Sequence, residues 1–312
     1  MIDIYSNFGQ IGDLLKQQPE IIRARHGRPP QIAITCLPQL NTMLWGLEKQ
    51  KLVVLGARPG HGKSVFLLQL AYDFAVHGHL VHFYSFEMTK EVCAARLFSN
   101  RCKVDNYLMK TGKHAETEHL ASHQERQAKC FAEAENANLF IFQSIGKSLP
   151  QLTEIYTRVK PWPGIIIIDY GNLVEQEQYK SRKTVYDDYI KGLRAIAVEQ
   201  NVCVIMGAQI GRNVQQKGGG TRPPELEDFK ETGVLEEQAD QAILLFWPWY
   251  ADEKKNFNDY SIRIAKNRDG RTGYIPGLFY PEYSLIQENT AAIEQAKKEK
   301  AEKNGQTRER YP

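Results

Sequence analysis

The segment LVVLGARPGHGKSVFLLQLAYDFAV runs from Leu52 to Val76. It begins with an apolar, strand-like run and ends in an apolar stretch of helical character. Between them a loop with three glycines, Gly56, Gly60 and Gly62, leads into Lys63-Ser64. A strand, a glycine-rich turn and Gly-Lys-Ser at a helix start make a phosphate cradle. Small residues let successive backbone N–H groups point inward at phosphate oxygens, and the helix N-terminus adds partial positive charge. Arg58, Pro59, Gly60, His61, Gly62, Lys63 and Ser64 are the candidate nucleotide-binding residues, with Lys63 reaching the β/γ-phosphates and Ser64 ligating Mg²⁺. Ala57 stands where the strict pattern has glycine, which is tolerable if that residue keeps a negative φ.

Outward from this loop, short β-branched runs alternate with helical stretches. Strands are expected at Leu52–Leu55, Val81–Phe86, Leu139–Phe142, Ile165–Ile168, Val202–Met206 and Ala242–Phe246. Several are apolar throughout, as in strands covered on both faces of a parallel sheet. Thr184–Gln200 places Tyr189, Leu193, Ile196 and Ala197 on one helical face. The alternation indicates an α/β layered fold. Near the end, SIRIAKNRDGRTGYIPGLFY is broken at Asp-Gly and Thr-Gly and reads as antiparallel strands closing the sheet. The expected organisation is a linker over residues 1–35, a core over 36–286 and a charged tail over 287–312 that cannot bury enough surface to order itself fully.

The totals narrow the class. The chain has 312 residues, 42% hydrophobic and 25% charged, which is ordinary for a globular protein. Its formal net charge of +3 means that any nucleic-acid surface must be a local patch. Five scattered cysteines show no paired spacing, which argues against a zinc site and fits a reducing compartment. The start MIDIYSNFGQ has neither the basic nor the apolar part of a signal peptide, and no apolar run approaches membrane-spanning length. A cytoplasmic protein is expected, in a bacterial or phage-infected cell.

Two carboxylates extend the cradle. GIIIIDY ends in Asp169, and a carboxylate at the tip of a buried strand is costly unless it meets a cation. Beside the cradle it would hold the Mg²⁺ shell. Glu87 in YSFEM follows the strand after the cradle's helix. There it could orient an attacking water, or it could be an acid favoured by the dipole of the next helix; the residues alone leave both open.

Taken together, LPQLNTMLWGLEKQKLVVLGARPGHGKS, YSFEMTKEVCAARLFSN, IIIIDYGNLV, VCVIMGAQIGRN, DFKETGVLEEQADQAILLF and IRIAKNRDGRTG resemble the hexameric replicative DNA helicases of the DnaB type, which are built on a RecA-like ATPase core. The likeness covers about Leu37 to Ile286. It implies a mostly parallel central sheet with antiparallel strands near the C-terminal edge. It also implies Glu87 as the catalytic glutamate and Gln209 as the glutamine that senses the γ-phosphate. Lys266 and Arg268 match a finger pair supplied to the neighbouring subunit's nucleotide, a role suited to a planar guanidinium.

The DNA contact is less local. Residues 211–228, GRNVQQKGGGTRPPELED, carry Arg212, Lys217 and Arg222 around three consecutive glycines. Such a loop could follow a phosphate backbone in a ring's channel, or be a plain surface loop. By resemblance the segment FKETG touches single-stranded DNA, making Lys230, Glu231 and Gly233 candidates. Lys230 stands where arginine is usual, which keeps the charge and loses the bidentate fork. Family members carry an N-terminal helical domain or a primase before the linker, so loader and primase contacts of that domain do not carry over. The apolar stretch Ile4, Phe8, Ile11 and Leu15 lies where a linker helix would dock on an adjacent protomer, or would pack on its own core.

The expectation is an ATP- and Mg²⁺-dependent helicase acting on single-stranded DNA as a homo-oligomeric ring. Two rivals share the same motifs. One is a RecA-like recombination mediator or loader, and the other is an ATP-gated DNA-binding module without unwinding.

Overall fold

The computed structural model describes residues 11–113, 120–144, 147, 149–169, 182–211, 222–229 and 233–299. Helix α1 (Ile11–Arg25) precedes α2 (Pro38–Leu44), β1 (Leu52–Ala57) and α3 (Lys63–Val76). Next come β2 (Val81–Ser85), α4 (Lys90–Cys102), α5 (Asn106–Thr111), α6 (Leu120–Ala134) and β3 (Leu139–Gln143). Then follow α7 (Leu149–Arg158), β4 (Ile165–Asp169), α8 (Arg182–Glu199), β5 (Cys203–Gln209) and α9 (Gly233–Gln238). The last part holds β6 (Gln241–Phe246), α10 (Pro248–Ala251), β7 (Asp259–Asn267), β8 (Gly273–Tyr280) and β9 (Leu285–Glu288).

The strands form one sheet in the order β3-β2-β4-β5-β1-β6-β7-β8-β9. From β3 to β6 all neighbours are parallel, whereas β6–β7, β7–β8 and β8–β9 are antiparallel. The six expected strands are all present, within a few residues of their expected ends. Composition explains the split. β1, β2 and β4 are buried at every position, as strands covered on both faces must be. β7 alternates buried and partly exposed residues, as strands with one wetter face do.

Two apolar layers follow from this. On one face α3 lays Phe66, Leu67, Leu70 and Phe74 against Val53, Leu55, Phe83 and Ile167. On the other, α8 lays Tyr189, Ile190, Leu193 and Ile196 against Val54, Ile166, Ile168 and Val204. Local chemistry sets the shorter helices. Thr89 caps α4, its hydroxyl accepting from Val92 N, while Asp105 caps α5 by accepting from Tyr107 N and Leu108 N.

Both flanks of the expected core contribute to it. Ile32 and Ile34 are fully buried, and Ile32 bridges to Leu47. Glu288 accepts from Gln39 N and Leu40 N, each at 2.8 Å, and so closes the N-terminus of α2 from far along the chain. Residues 290–299 are helical, with Ile293 packed on the core. No helix among the described residues is long and apolar enough to cross a membrane.

Candidate functional site: a cleft at the carboxyl ends of the parallel strands

The cradle forms where β1 ends. Ala57 closes β1, paired with Gln209 and Leu245, and is not among the residues with positive φ. Alanine therefore fits where the strict motif has glycine. The chain then turns through Gly60 (φ 81°) and Gly62 (φ 78°) into α3. Only glycine takes that left-handed conformation without strain, and the turn leaves the first N–H groups of α3 at the cleft.

The cleft has a volume of about 830 Å³ and is lined by Arg58, Pro59, Gly60, Gly62, Lys63 and Ser64 on the cradle side. Glu87 and Gln209 line it too, so residues from three separate strand ends converge. Glu87 does not continue β2. It sits on a bend in which Ser85 Oγ donates to Met88 O at 2.7 Å and accepts from Met88 N at 3.0 Å. Phe86 N donates to Asp169 O at 2.7 Å, tying that bend to the tip of β4. The exposed Glu87 carboxylate is thus carried on a braced turn next to Asp169.

Lys63 Nζ donates to Asp169 Oδ1 at 2.5 Å, and the aspartate side chain is fully buried. Asp169 Oδ2 is also buried and has no hydrogen-bond partner among the described residues. A buried carboxylate oxygen without a donor is costly. With the Ser64 hydroxyl at the start of α3, it is a donor set that fits a hard, oxygen-seeking cation such as Mg²⁺.

One member of the cradle has a side chain with a separate task. The imidazole of His61 is buried and turned away from the cleft, its Nδ1 accepting from Trp247 N at 2.9 Å, with Phe246 stacked on it and Tyr250 at its edge. Burial, helped by the Arg58 charge, pushes its pKa down to about 4. His61 therefore fastens the loop to an aromatic layer that sequence spacing does not reveal.

Lys266 and Arg268 lie at the other end of the sheet. Because β7 is antiparallel to β6, Lys266 pairs with Ala242 near the start of β6, while Leu245, further along β6, pairs with Ala57 at the cradle. At about 3.3 Å per residue the finger pair is roughly 10 Å or more from the cleft of its own chain. Lys266 Nζ donates to Glu236 O, and Arg268 donates to Glu237 O and to Asp240 Oδ1.

Of the candidate DNA residues, Arg212, Lys217, Lys230 and Glu231 lie outside the described residues. Gly233 begins α9. Arg222 donates to Asp228 through two 2.8 Å hydrogen bonds, a clamp within the chain. Arg96, Asn106, Lys110, Phe279, Pro281 and Ser284 complete the cleft wall. Sequence reading misses them because they come from α4, α5, the end of β8 and the turn after it. Asn106 Nδ2 spans two of these, donating to Ser284 Oγ at 2.9 Å and Pro281 O at 3.1 Å.

A family model described as DnaB-like helicase C terminal domain matches residues 33–288. Among curated relatives, the replicative DNA helicase DnaC of Bacillus subtilis (strain 168) is 28% identical over 287 residues, covering 89% of this chain and 62% of its own length. The replicative DNA helicase DnaB of Geobacillus stearothermophilus is 26% identical over 285 residues, covering 89% and 61% respectively. The chain thus spans about three-fifths of the length of these relatives. Among solved structures, a DnaB-like replicative helicase, solved in a study of its interactions with primase, superposes with a TM-score of 0.79 at 27% identity, covering 90% of this chain and 67% of that one. A second, solved as an ATPase domain, superposes with a TM-score of 0.79 at 26% identity over 90% of this chain and 99% of that one.

Proposed function

Since the chain belongs to the family of DnaB-like helicase C terminal domains, we propose that it is an ATP-driven DNA helicase motor that assembles into a ring around single-stranded DNA. The observation that carries this is the separation within one chain between the cleft and the finger pair. Lys63, Glu87, Asp169 and Gln209 gather at one end of the sheet, while Lys266 and Arg268 stand at the other. A second copy must supply the cations that complete the site.

In this mechanism Lys63 exchanges Asp169 for the β/γ-phosphate oxygens when ATP enters. Glu87, on its braced bend, orients the attacking water and receives its proton. Lys266 and Arg268 of the adjacent protomer neutralise charge developing on the transferred phosphoryl group. Gln209 at the tip of β5 reports γ-phosphate loss to the segments that follow it. Ser64 and Asp169 would hold Mg²⁺, which would neutralise charge on the phosphate oxygens when bound.

Helix α1 supports assembly. Ile11, Leu15 and Ile22 are 69%, 61% and 66% exposed, and at about 100° per residue they fall on one face. That stripe has the form of a linker helix seated on a neighbour. In this reading residues 1–35 carry the linker and 287–312 the tail, each anchored at its inner end by Ile32 and Ile34 or by Glu288 and Ile293; the ring is a hexamer, and the place of work the cytoplasm of a bacterial or phage-infected cell. The relative solved in the study with primase makes a primase a candidate partner.

Subunit mixing tests the reading. Arg268→Ala is expected to lower ATP turnover at least about 10³-fold with nucleotide affinity nearly unchanged. Mixed with Glu87→Gln, it regains activity, because one interface then holds a sound cleft and a sound finger. No recovery in mixed rings, or wild-type turnover independent of protein concentration, refutes the shared site. Strand displacement from a forked duplex separates a helicase from a loader or a DNA-binding module.

A further inference from the structure

Residues 222–229 form a block closed on itself. Asp228 accepts both Arg222 bonds and also accepts from Glu225 N at 2.7 Å, completing a reciprocal cap with Glu225. Gly211 N donates to Asp228 O at 3.0 Å, and Ile210, the residue after Gln209, bridges to Phe229. Arg263 braces the block from β7 through Glu225 at 2.9 Å and Pro224 O at 3.2 Å. The chain segments that continue from either side, 212–221 and 230–232, carry the candidate DNA residues Arg212, Lys217, Lys230 and Glu231, so both are joined in sequence to this one block.

The block in turn rests on the cradle strand. Phe229 is 8% exposed, and its ring occupies the space beside Gly56. A Cβ at Gly56 would stand 2.7 Å from Phe229 Cε1, 2.8 Å from Cζ and 2.7 Å from Leu244 Cδ2. Gly56 has no positive φ to explain its glycine; the explanation is the packing of these side chains. Arg58, two residues further along the cradle, feels the charges of Asp228 and Arg222. Close-packed contacts of this kind transmit displacement, because neither side can move without the other.

We propose that Phe229 is a positioning residue that couples the nucleotide cradle to the DNA-contacting segments by seating its ring on Gly56. This rests on the helicase reading above. Gln209 reports through the end of β5, whereas Phe229 couples through the body of β1. The ring converts a shift of the cradle strand into a shift of the 222–229 block.

The test is the nucleotide dependence of single-strand affinity. A dye-labelled oligodeoxythymidylate is titrated with full-length protein, with and without a non-hydrolysable ATP analogue. In wild type the ratio of the two affinities is expected in the range of about 5- to 150-fold. Phe229→Leu opens a gap and Gly56→Ala pushes the ring off its seat. Each is expected to lower the ratio at least about threefold. The double variant returns the ratio to within about twofold of wild type, because the shorter side chain vacates the ring's share of the space that the added methyl takes, and Leu244 Cδ2, the end of a flexible side chain, turns aside from the rest. That recovery also guards against simple misfolding, as the Gly56→Ala chain alone carries the clash. If both single variants keep the wild-type ratio and lose only melting temperature, Phe229 is core packing and the proposal is overturned. It is equally overturned if the double variant stays as uncoupled as the singles. If the wild-type ratio is itself one, the helicase reading has failed, and that is read before any variant is made.

Discussion

Each end of the parallel sheet holds a buried aspartate beside cations, and the two are finished differently. At the carboxyl ends, Asp169 gives one oxygen to Lys63 and leaves Oδ2 buried without a donor among the described residues. At the opposite end, Asp240 is 2% exposed, and both of its oxygens are engaged. Its Oδ2 accepts from Leu52 N at 2.9 Å and pairs with Arg194 at 2.7 Å, while Oδ1 pairs with Arg268 at 3.3 Å. A satisfied buried carboxylate is a structural joint. An unsatisfied one stores a cost that a ligand can relieve, and such sites mark chemistry more often than stability. In the proposed mechanism the first aspartate serves turnover in its own cleft, and the second serves cohesion and the hold on the finger.

Asp169→Asn is the harshest trial of that contrast. It should lower ATP turnover by about 10- to 100-fold, as loss of a group that holds a metal through water does. Thermal or denaturant unfolding should show a smaller loss than the same change at Asp240, since Asp169 pairs with one cation whereas Asp240 holds two guanidinium groups and a backbone N–H. A stability loss matching that of the other aspartate would erase the distinction. Asp240→Asn is the counterpart. Replacing a carboxylate that holds two guanidinium groups and a backbone N–H should cost about 2 to 3 kcal/mol, less than a wholly buried pair because Arg268 is half in solvent. In mixed rings it should also weaken the finger that Asp240 helps to hold. An unchanged denaturation midpoint would show that the joint bears little.

The smallest effect is a pH slope. His61 and His82 are both buried, and burial pushes each pKa down to about 4. An unfolded histidine binds its proton near pH ~6.5. Between those values the unfolded chain takes up protons that the folded chain refuses, so stability falls as pH drops from about 6.5 to about 4. The slope is roughly 1.4 kcal/mol per unit for each histidine. His82 packs among Tyr84, Phe140 and Phe142, so His82→Phe should remove its share of the slope and leave turnover alone. His61→Phe would disturb the cradle as well, because Trp247 N loses its acceptor. Melting temperatures at pH values of about 4.5, 5.5 and 7, which sample that window and the plateau above it, read both.

The cradle and Asp169 are legible because each is written in contiguous residues: an apolar strand, a glycine turn, a Lys-Ser pair, and an apolar run ending in a carboxylate. The antiparallel closing strands are legible for the same reason, through Asp-Gly and Thr-Gly breaks. The inward turn of His61 is not, because its partner Trp247 is far along the chain. The Asn106 bridge to Pro281 and Ser284, and the cap that Glu288 places on α2, are hidden likewise. Arg222 reads as a free cation from composition, and only its contact with Asp228 shows it to be occupied. Phe229 reads as one more apolar residue until Gly56 appears beneath its ring.

What the sequence by itself determined is the chemistry that backbone sterics and periodicity encode within one turn or one strand. That includes the glycine turn of the cradle, the strands apolar on both sides, and the carboxylates placed where strands end. What only the tertiary structure decided is which distant groups satisfy one another, and so which charges are left over for a substrate. Sheet order placed Lys63 against Asp169 and carried Arg268 to the far end. That order is chosen by burial of the whole apolar surface, a sum over the entire chain, so no short window of residues contains it.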